Sequence, residues 1–136
     1  LLSRLGFIAT ELLLSAEDKE RFTEANDRAV ILVGHHGSLL ADINYLQSIK
    51  NPDDYFPSPE RFVYTLPNIV TGEIAIRNKY HGETEFYLLD ERNDEVINNI
   101  ISTAFIDSKT KSVIGGWIDC TDNDNFEADL NIIERI

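Results

Sequence analysis

Five consecutive apolar residues, Ala29-Val30-Ile31-Leu32-Val33, run into Gly34 and constrain this chain more than any other stretch. Successive strand residues point to opposite faces, so a surface strand alternates apolar with polar side chains. A strand with no polar alternate is covered on both faces, the situation of a central strand in a parallel sheet flanked by helices. Helical and strand patterns alternate around it. Residues 1–15 put Leu1, Leu5, Ile8 and Leu12 on one helical stripe with Leu2, Ala9 and Leu13 beside it, predicting a helix buried over most of its circumference. A charged connection, Asp18 to Asp27, follows. Pro67 suits the first turn of a helix reaching about Lys79, in which Gly72 would allow close approach of another backbone. Thr84 to Leu89 reads as a strand. Asn93 or Asp94 can cap a helix whose apolar pairs recur at 96/97, 100/101 and 104/105.

Ser112 to Asp119 reads as a further strand, with a Gly115-Gly116 pair inside it. Phe126, Ala128, Leu130 and Ile132 alternate with their neighbours, which predicts a last strand with one polar face. The short turn Thr121 to Asn125 makes that strand antiparallel to its predecessor. The expected architecture is therefore α/β: a mixed, mostly parallel sheet with helices, closing on an antiparallel strand. At 136 residues the chain is expected to form a single domain, 1–136.

Charge and cysteine content narrow the function classes. Twenty-four acidic against 12 basic residues give a formal charge of −12, which argues against a nucleic-acid partner, since phosphate binding needs a basic face. Residues 83–136 carry 13 acids against 4 bases, whereas residues 1–82 carry 11 against 8. That acidic half is either a solvated face that aids solubility or a surface for a basic partner. No apolar run is long enough to span a membrane. The lone Cys120 excludes an internal disulfide framework and fits a reducing, cytoplasmic setting. With no methionine and a Leu1-Leu2 opening, the native start is expected to lie upstream.

Candidate chemistry is sparse. His35 and His36 sit in the turn Gly34-His35-His36-Gly37-Ser38, which lacks the lysine of a phosphate loop and the third glycine of a dinucleotide fingerprint. Metal sites add further ligands at defined spacing. Only His81 and Asp42 offer themselves, so a structural or solvent-facing role is expected and no metal. Cys120 lies among Asp119, Asp122 and Asp124, which raise a thiol's pKa, and is expected to be a small buried hydrophobe. Between residues 39 and 67, Asn51-Pro52-Asp53-Asp54 and Pro57-Ser58-Pro59 mark a long connection anchored by Tyr55, Phe56, Phe62 and Tyr64. Such a connection in a small domain is expected to be functional or interfacial. The residues alone reveal no catalytic constellation and no cofactor.

Four segments in one order go further: Phe56-Pro57-Ser58-Pro59, the run Thr65 to Ile76 containing Leu66, Pro67, Asn68 and Gly72, then Gly82-Glu83-Thr84, then Val113-Ile114-Gly115-Gly116. Over residues 28–119 this resembles the N-terminal half of β-ketoacyl-acyl carrier protein synthases, condensing enzymes of the thiolase-like fold. The resemblance implies half of that fold, lacking its first strand. It also implies a cysteine nucleophile on the turn between the strand after Gly82 and the next helix, where a helix N-terminus stabilises thiolate and oxyanion. That position falls near Asp90, Glu91 and Arg92, and no cysteine or serine is there. The family's second half, with its remaining catalytic groups, has no room in 136 residues.

The resemblance thus implies a catalytically incomplete subunit. It would be a scaffold or chain-length partner in fatty-acid, polyene or polyketide biosynthesis, as a homodimer or beside an active ketosynthase. In the family the nucleophile strand pairs across a dimer interface. That makes Thr84, Glu85, Phe86, Tyr87, Leu88 and Leu89 a candidate partner edge, although an internal core strand explains the same residues. Two alternatives stay open. One is an enzyme in which a carboxylate near Glu91 acts on an acyl thioester. The other is a module that binds an acyl chain or an acyl carrier protein. Carrier proteins are acidic, and Arg61, Arg77 and Lys79 are the modest basic cluster available to meet one.

Overall fold

Strand β1 (Arg28–Gly34) runs through the middle of the sheet, with Ala29 to Val33 no more than 1% exposed. The computed structural model describes residues 1–17, 19–37, 46, 68–122 and 124–135. Within them, β1 pairs in parallel with β2 (Thr84–Leu88) on one side and β3 (Ser112–Cys120) on the other. Strand β4 (Phe126–Glu134) pairs antiparallel to β3, giving the order β2-β1-β3-β4. The mostly parallel sheet with an antiparallel last strand is the architecture the residue pattern dictates.

Alternate residues of β1 feed two cores. Ala29, Ile31 and Val33 meet Ile97 and Ile101 of helix α3 (Asp94–Thr103), together with Val113 and Trp117 of β3. Val30 and Leu32 point the other way, to Val70 and Ile74 of helix α2 (Ile69–Asn78) and to Ile118. Helix α1 (Leu2–Glu17) shares this second face through Leu2 and Leu5. Each fully buried side chain of this kind stabilises the fold by about 1.5–3 kcal/mol. Strand β3 is buried at all nine positions. Helix α3 begins as its sequence requires: the Asn93 side chain accepts a hydrogen bond from the Val96 N–H at 3.2 Å.

Helix α1 departs from expectation. Its buried stripe is Gly6, Thr10 and Leu14, while Ile8 is 57% and Leu12 70% exposed. The helix is thus apolar on its outer side too, and it is not buried over most of its circumference. The cause is at Gly6, where a Cβ would overlap the Val70 side chain. Helix α1 closes onto α2 through its smallest residue, and the larger side chains are turned outward. Gly72, by contrast, has nothing within 4 Å of where a Cβ would stand among the described residues, so it mediates no close backbone approach between them.

Strand β4 also differs from a simple two-faced strand. Phe126 to Asp129 are exposed at every position, and Phe126 is 52% exposed. Only the second half of the strand reaches the cores, through Leu130 on one face and Ile133 on the other. Opposite its middle, Gly116 adopts φ +143°, and a Cβ there would overlap the Asp129 carbonyl oxygen. The second glycine of the pair is therefore fixed by backbone geometry. Its neighbour Gly115 lies against the Ile31 carbonyl and the Ile101 side chain.

Ion pairs tie α1 to its surroundings. Arg28 grips Glu17 with two nitrogens at 2.6 and 2.9 Å, and its Nε donates to Ser112 Oγ at 2.8 Å. Glu11 receives Arg21 at 2.9 and 3.0 Å and Arg77 at 2.6 Å. Hydrogen bonds from Arg21, then Arg77, hold the Glu11 carboxyl down to about 2.

Gly116→Ala is expected to destabilise the chain by about 2–3 kcal/mol in urea unfolding, because the positive φ and the Asp129 carbonyl both oppose a side chain. Gly72→Ala, in an open helical position, is expected to stabilise it by about 0.5–1 kcal/mol. Acid titration supplies a second test. A carboxyl depressed in the folded state contributes stability that is present above its unfolded pKa and lost as pH falls through the folded one. Stability is expected to decline from about pH 4.5 toward about 2, and Glu11→Gln to flatten that decline in thermal melts.

Candidate functional site

Ligands in parallel α/β sheets bind outside the carboxyl ends of the strands. Here those ends bring together the turn after β1, the turn after β2 and the last residues of β3. Gly34 packs so closely on the Ile118 carbonyl that a Cβ would overlap it, and the chain then turns through His35, His36 and Gly37, the last at φ 55°. Asp119 faces that turn. It is 8% exposed and is the one buried carboxylate among the described residues.

Asp119 organises the histidines. Its Oδ1 accepts the backbone N–H of His36 at 2.8 Å and of His35 at 3.3 Å, and its Oδ2 accepts His36 Nδ1 at 2.7 Å. His35 Nδ1 meets the carbonyl oxygen of Leu89, just beyond β2, at 2.7 Å. The two rings stand edge to face, centroids 4.5 Å apart and planes at 83°. A carboxylate and a carbonyl only accept, so both Nδ1 atoms carry a proton. Cys120, next along β3, is 1% exposed. Burial, and to a lesser extent the Asp119 charge, pushes its thiol up, so it is a poor nucleophile. The direction matches the sequence reading, but burial rather than the run of acids is the main cause.

The turn from β2 into α3 holds the position where the resemblance would put a nucleophile. Asp90, Glu91 and Arg92 are all exposed there. Arg92 is committed to structure: its Nε donates to Asp94 at 3.0 Å, its Nη2 to Asp129 on β4 at 2.6 Å, and its guanidinium lies 6.0 Å from the Trp117 ring. These carboxylate hydrogen bonds push the Arg92 pKa further up. Trp117 in turn donates its indole N–H to Glu127 at 2.6 Å.

The other sequence-singled residues scatter. Asn68 is the N-cap residue of α2, though its side chain makes no capping bond. A Cβ on Gly82 would overlap the Arg28 carbonyl, at the amino end of the sheet and far from the histidines. Arg77 is taken up by Glu11, and Lys79 is the left-handed C-cap of α2 at φ 61°. His81 is exposed on the way into β2. Leu66, Pro67, Asp42, Arg61 and the aromatic anchors lie outside the described residues. Thr84 to Leu88 form the edge of the described sheet. Phe86 packs on one core, Tyr87 and Leu89 pack on the other, and Leu88 is 56% exposed. An open cleft of about 590 Å³ lies at the opposite, amino end, lined by Glu17, Lys19, Arg28, Tyr80 and Arg135. Its charges largely neutralise one another through Arg28–Glu17 and Lys19–Glu134, so it is the less promising end for chemistry. No group of three or more metal-ligating side chains occurs among the described residues, nor a helix long and apolar enough to cross a membrane.

Asp119, which fastens the histidine turn, is the residue of this candidate site that sequence reading missed, having been weighed only as a neighbour of Cys120. The available signal was one acid at the end of an otherwise apolar strand.

No family model matches the chain, and no curated protein matches it by sequence. Among solved structures it is similar to a chain described as the ishigamide ketosynthase/chain length factor, with a TM-score of 0.62 and 20% identity. The match covers 79% of this chain and 30% of that one. The fold is thiolase-like. At that identity the likeness speaks for the fold alone, and the chain spans less than a third of its neighbour's length.

Asp119→Ala leaves two backbone N–H groups and the His36 ring N–H without their acceptor. It is expected to cost about 1–3 kcal/mol of stability in chemical unfolding.

Proposed function

We propose that the chain is a catalytically incomplete β-ketoacyl synthase-like subunit, a non-catalytic partner of a ketosynthase in fatty-acid, polyene or polyketide biosynthesis. The observation that carries this reading is the turn from β2 into α3. A family nucleophile would stand there, at the N-terminus of a capped helix, where thiolate is stabilised. This chain places Asp90, Glu91 and Arg92 there instead, and uses Arg92 to fasten the turn to β4. The thiolase-like fold shared with a ketosynthase/chain length factor chain supports the reading.

The partner surface in this proposal is the β2 edge, Thr84 to Leu89. Parallel pairing to β1 uses one side of the strand, from Val30 N–H to the Glu83 carbonyl through to Leu89 N–H on the Gly34 carbonyl. Among the described residues nothing pairs with its other side. An edge of this kind is a template for another strand, whether from a second copy or from a ketosynthase. An acyl carrier protein is a less natural direct partner, because Arg77 of the basic cluster is already neutralised by Glu11. The alternative with a carboxylate base finds Glu91 exposed and without a hydrogen-bond partner among the described residues.

Native mass spectrometry of the chain, alone and co-expressed with the ketosynthase encoded nearest to it, tests the proposal. A dimer or a one-to-one complex is expected, and Leu88→Lys should reduce it at least tenfold while changing stability by no more than about 0.5 kcal/mol. A strictly monomeric chain that captures no ketosynthase overturns the partner role. Thioester hydrolysis or CO₂ release that Glu91→Gln abolishes would establish catalysis in its place.

A further inference from the structure

We infer that the outer face of α1 and α2 is a self-association surface, on which a second copy of this chain docks its own α1 antiparallel to the first. The argument starts from which side of α1 meets solvent. Side chains three and four positions apart share a helix face, so Leu1, Leu5, Ile8 and Leu12 form one stripe. The close approach at Gly6 seats another side of the helix on Val70. The stripe is thereby turned outward: Leu1, Ile8 and Leu12 are exposed, with Leu5 half-buried between them. Phe7 and, on the neighbouring α2, Ile76 are exposed in the same helix layer. Single exposed apolar residues are ordinary, whereas a set of them gathered on one face marks an interaction surface.

Three properties point to a second copy as the occupant. The first is symmetry. The spacings along the stripe, four, three and four, read the same from either end. A two-fold contact needs a surface complementary to itself. Antiparallel pairing meets that need, setting Leu1 opposite Leu12 of the second copy and Leu5 opposite its Ile8. Alternating steps of three and four are also the spacing at which two helices interdigitate along a shared seam. The second property is area. The exposed parts of Leu1, Phe7, Ile8, Leu12 and Ile76 amount to about 500 Å² per copy, and two copies together reach about 1,000 Å², the level a specific interface must clear. The third is charge. Helices α1 and α2 carry three acids, Glu11, Glu17 and Glu73, against two bases, Arg4 and Arg77, and Arg77 is paired with Glu11. Residues 83–136 carry 13 acids against 4 bases, so copies approaching through that half repel each other. The near-neutral helix face is where two such acidic chains can meet. The contact is independent of the ketosynthase reading. It leaves the β2 edge uncovered, since α1 lies over β3 and β4 on the other side of the sheet.

Sedimentation equilibrium of the full chain tests the contact, in the native sequence and with Leu88→Lys, which disables the β2 edge. A monomer–dimer equilibrium is expected in both. Ile8→Lys and Leu12→Lys should each raise its dissociation constant at least tenfold, as charging a central contact of an apolar interface does. Circular dichroism melts of the monomer should stay unaltered, because both side chains are exposed. Oxidative cross-linking reads the orientation. Cys120 is buried and stays silent, so an equimolar mixture of Leu1→Cys and Leu12→Cys chains should form a covalent heterodimer, and neither chain alone a covalent homodimer. A chain that is monomeric throughout, or a dimer unmoved by Ile8→Lys and Leu12→Lys, overturns the proposal. A dimer lost with Leu88→Lys overturns it too and assigns association to the β2 edge. Cross-linking of Leu12→Cys to itself overturns the antiparallel pairing. A monomeric chain whose capture of a ketosynthase is lost with Ile8→Lys gives the face to that partner instead and overturns the second copy as its occupant.

Discussion

Everything in this molecule hangs on covering β1 from both sides. Five apolar residues in a row cannot lie at a water interface, so the strand takes the middle of a sheet and demands a helix layer on each face. Helix α3 answers on one side through Ile97 and Ile101, and α1 with α2 on the other through Leu5, Val70 and Ile74. Once β1 is central and parallel to both neighbours, the carboxyl ends of three strands converge at one end of the sheet. The clustering of His35, His36, Asp119 and the turn after β2 is a consequence of that single burial requirement.

The two ends of the sheet differ in kind. At the amino end, charged groups from α1, the connection that follows it, β1 and β4 neutralise one another in pairs such as Arg28–Glu17 and Lys19–Glu134. Those pairs spend their hydrogen-bonding capacity on holding elements together. At the carboxyl end, the buried Asp119 orients the His36 ring, the Leu89 carbonyl orients the His35 ring, and neither Nε2 is engaged among the described residues. A structural role consumes donors and acceptors, and a binding role leaves some over. By that criterion the carboxyl end is the candidate for ligand chemistry, even though the open cleft described above is at the other.

Legibility followed the same physics. The central strand, the parallel pairing, the Asn93 cap and the antiparallel close of the sheet could be read because each is written in contiguous residues. Helix α1 could not be oriented from its pattern, because leucine and isoleucine occur on more than one side and the deciding feature is the absence of a side chain at Gly6. Gly72 looked like the contact point and is not one among the described residues. The Asp119–His36 pair was invisible for a different reason: its members are 83 positions apart, and the register of β1 on β3 is what joins them. The motif Leu66-Pro67 gave a family likeness whose structural meaning lies outside the described residues.

Trp117, the one tryptophan of the chain, has a consequence of its own. Its indole is held at the N–H by Glu127 and flanked by Arg92, the residue that fastens the β2–α3 turn to β4. A cation beside the ring and a carboxylate on its nitrogen both influence its excited state. The emission of this single indole therefore reads the closure of that turn, and the molecule carries an internal optical gauge of whether anything has moved Arg92 from its place.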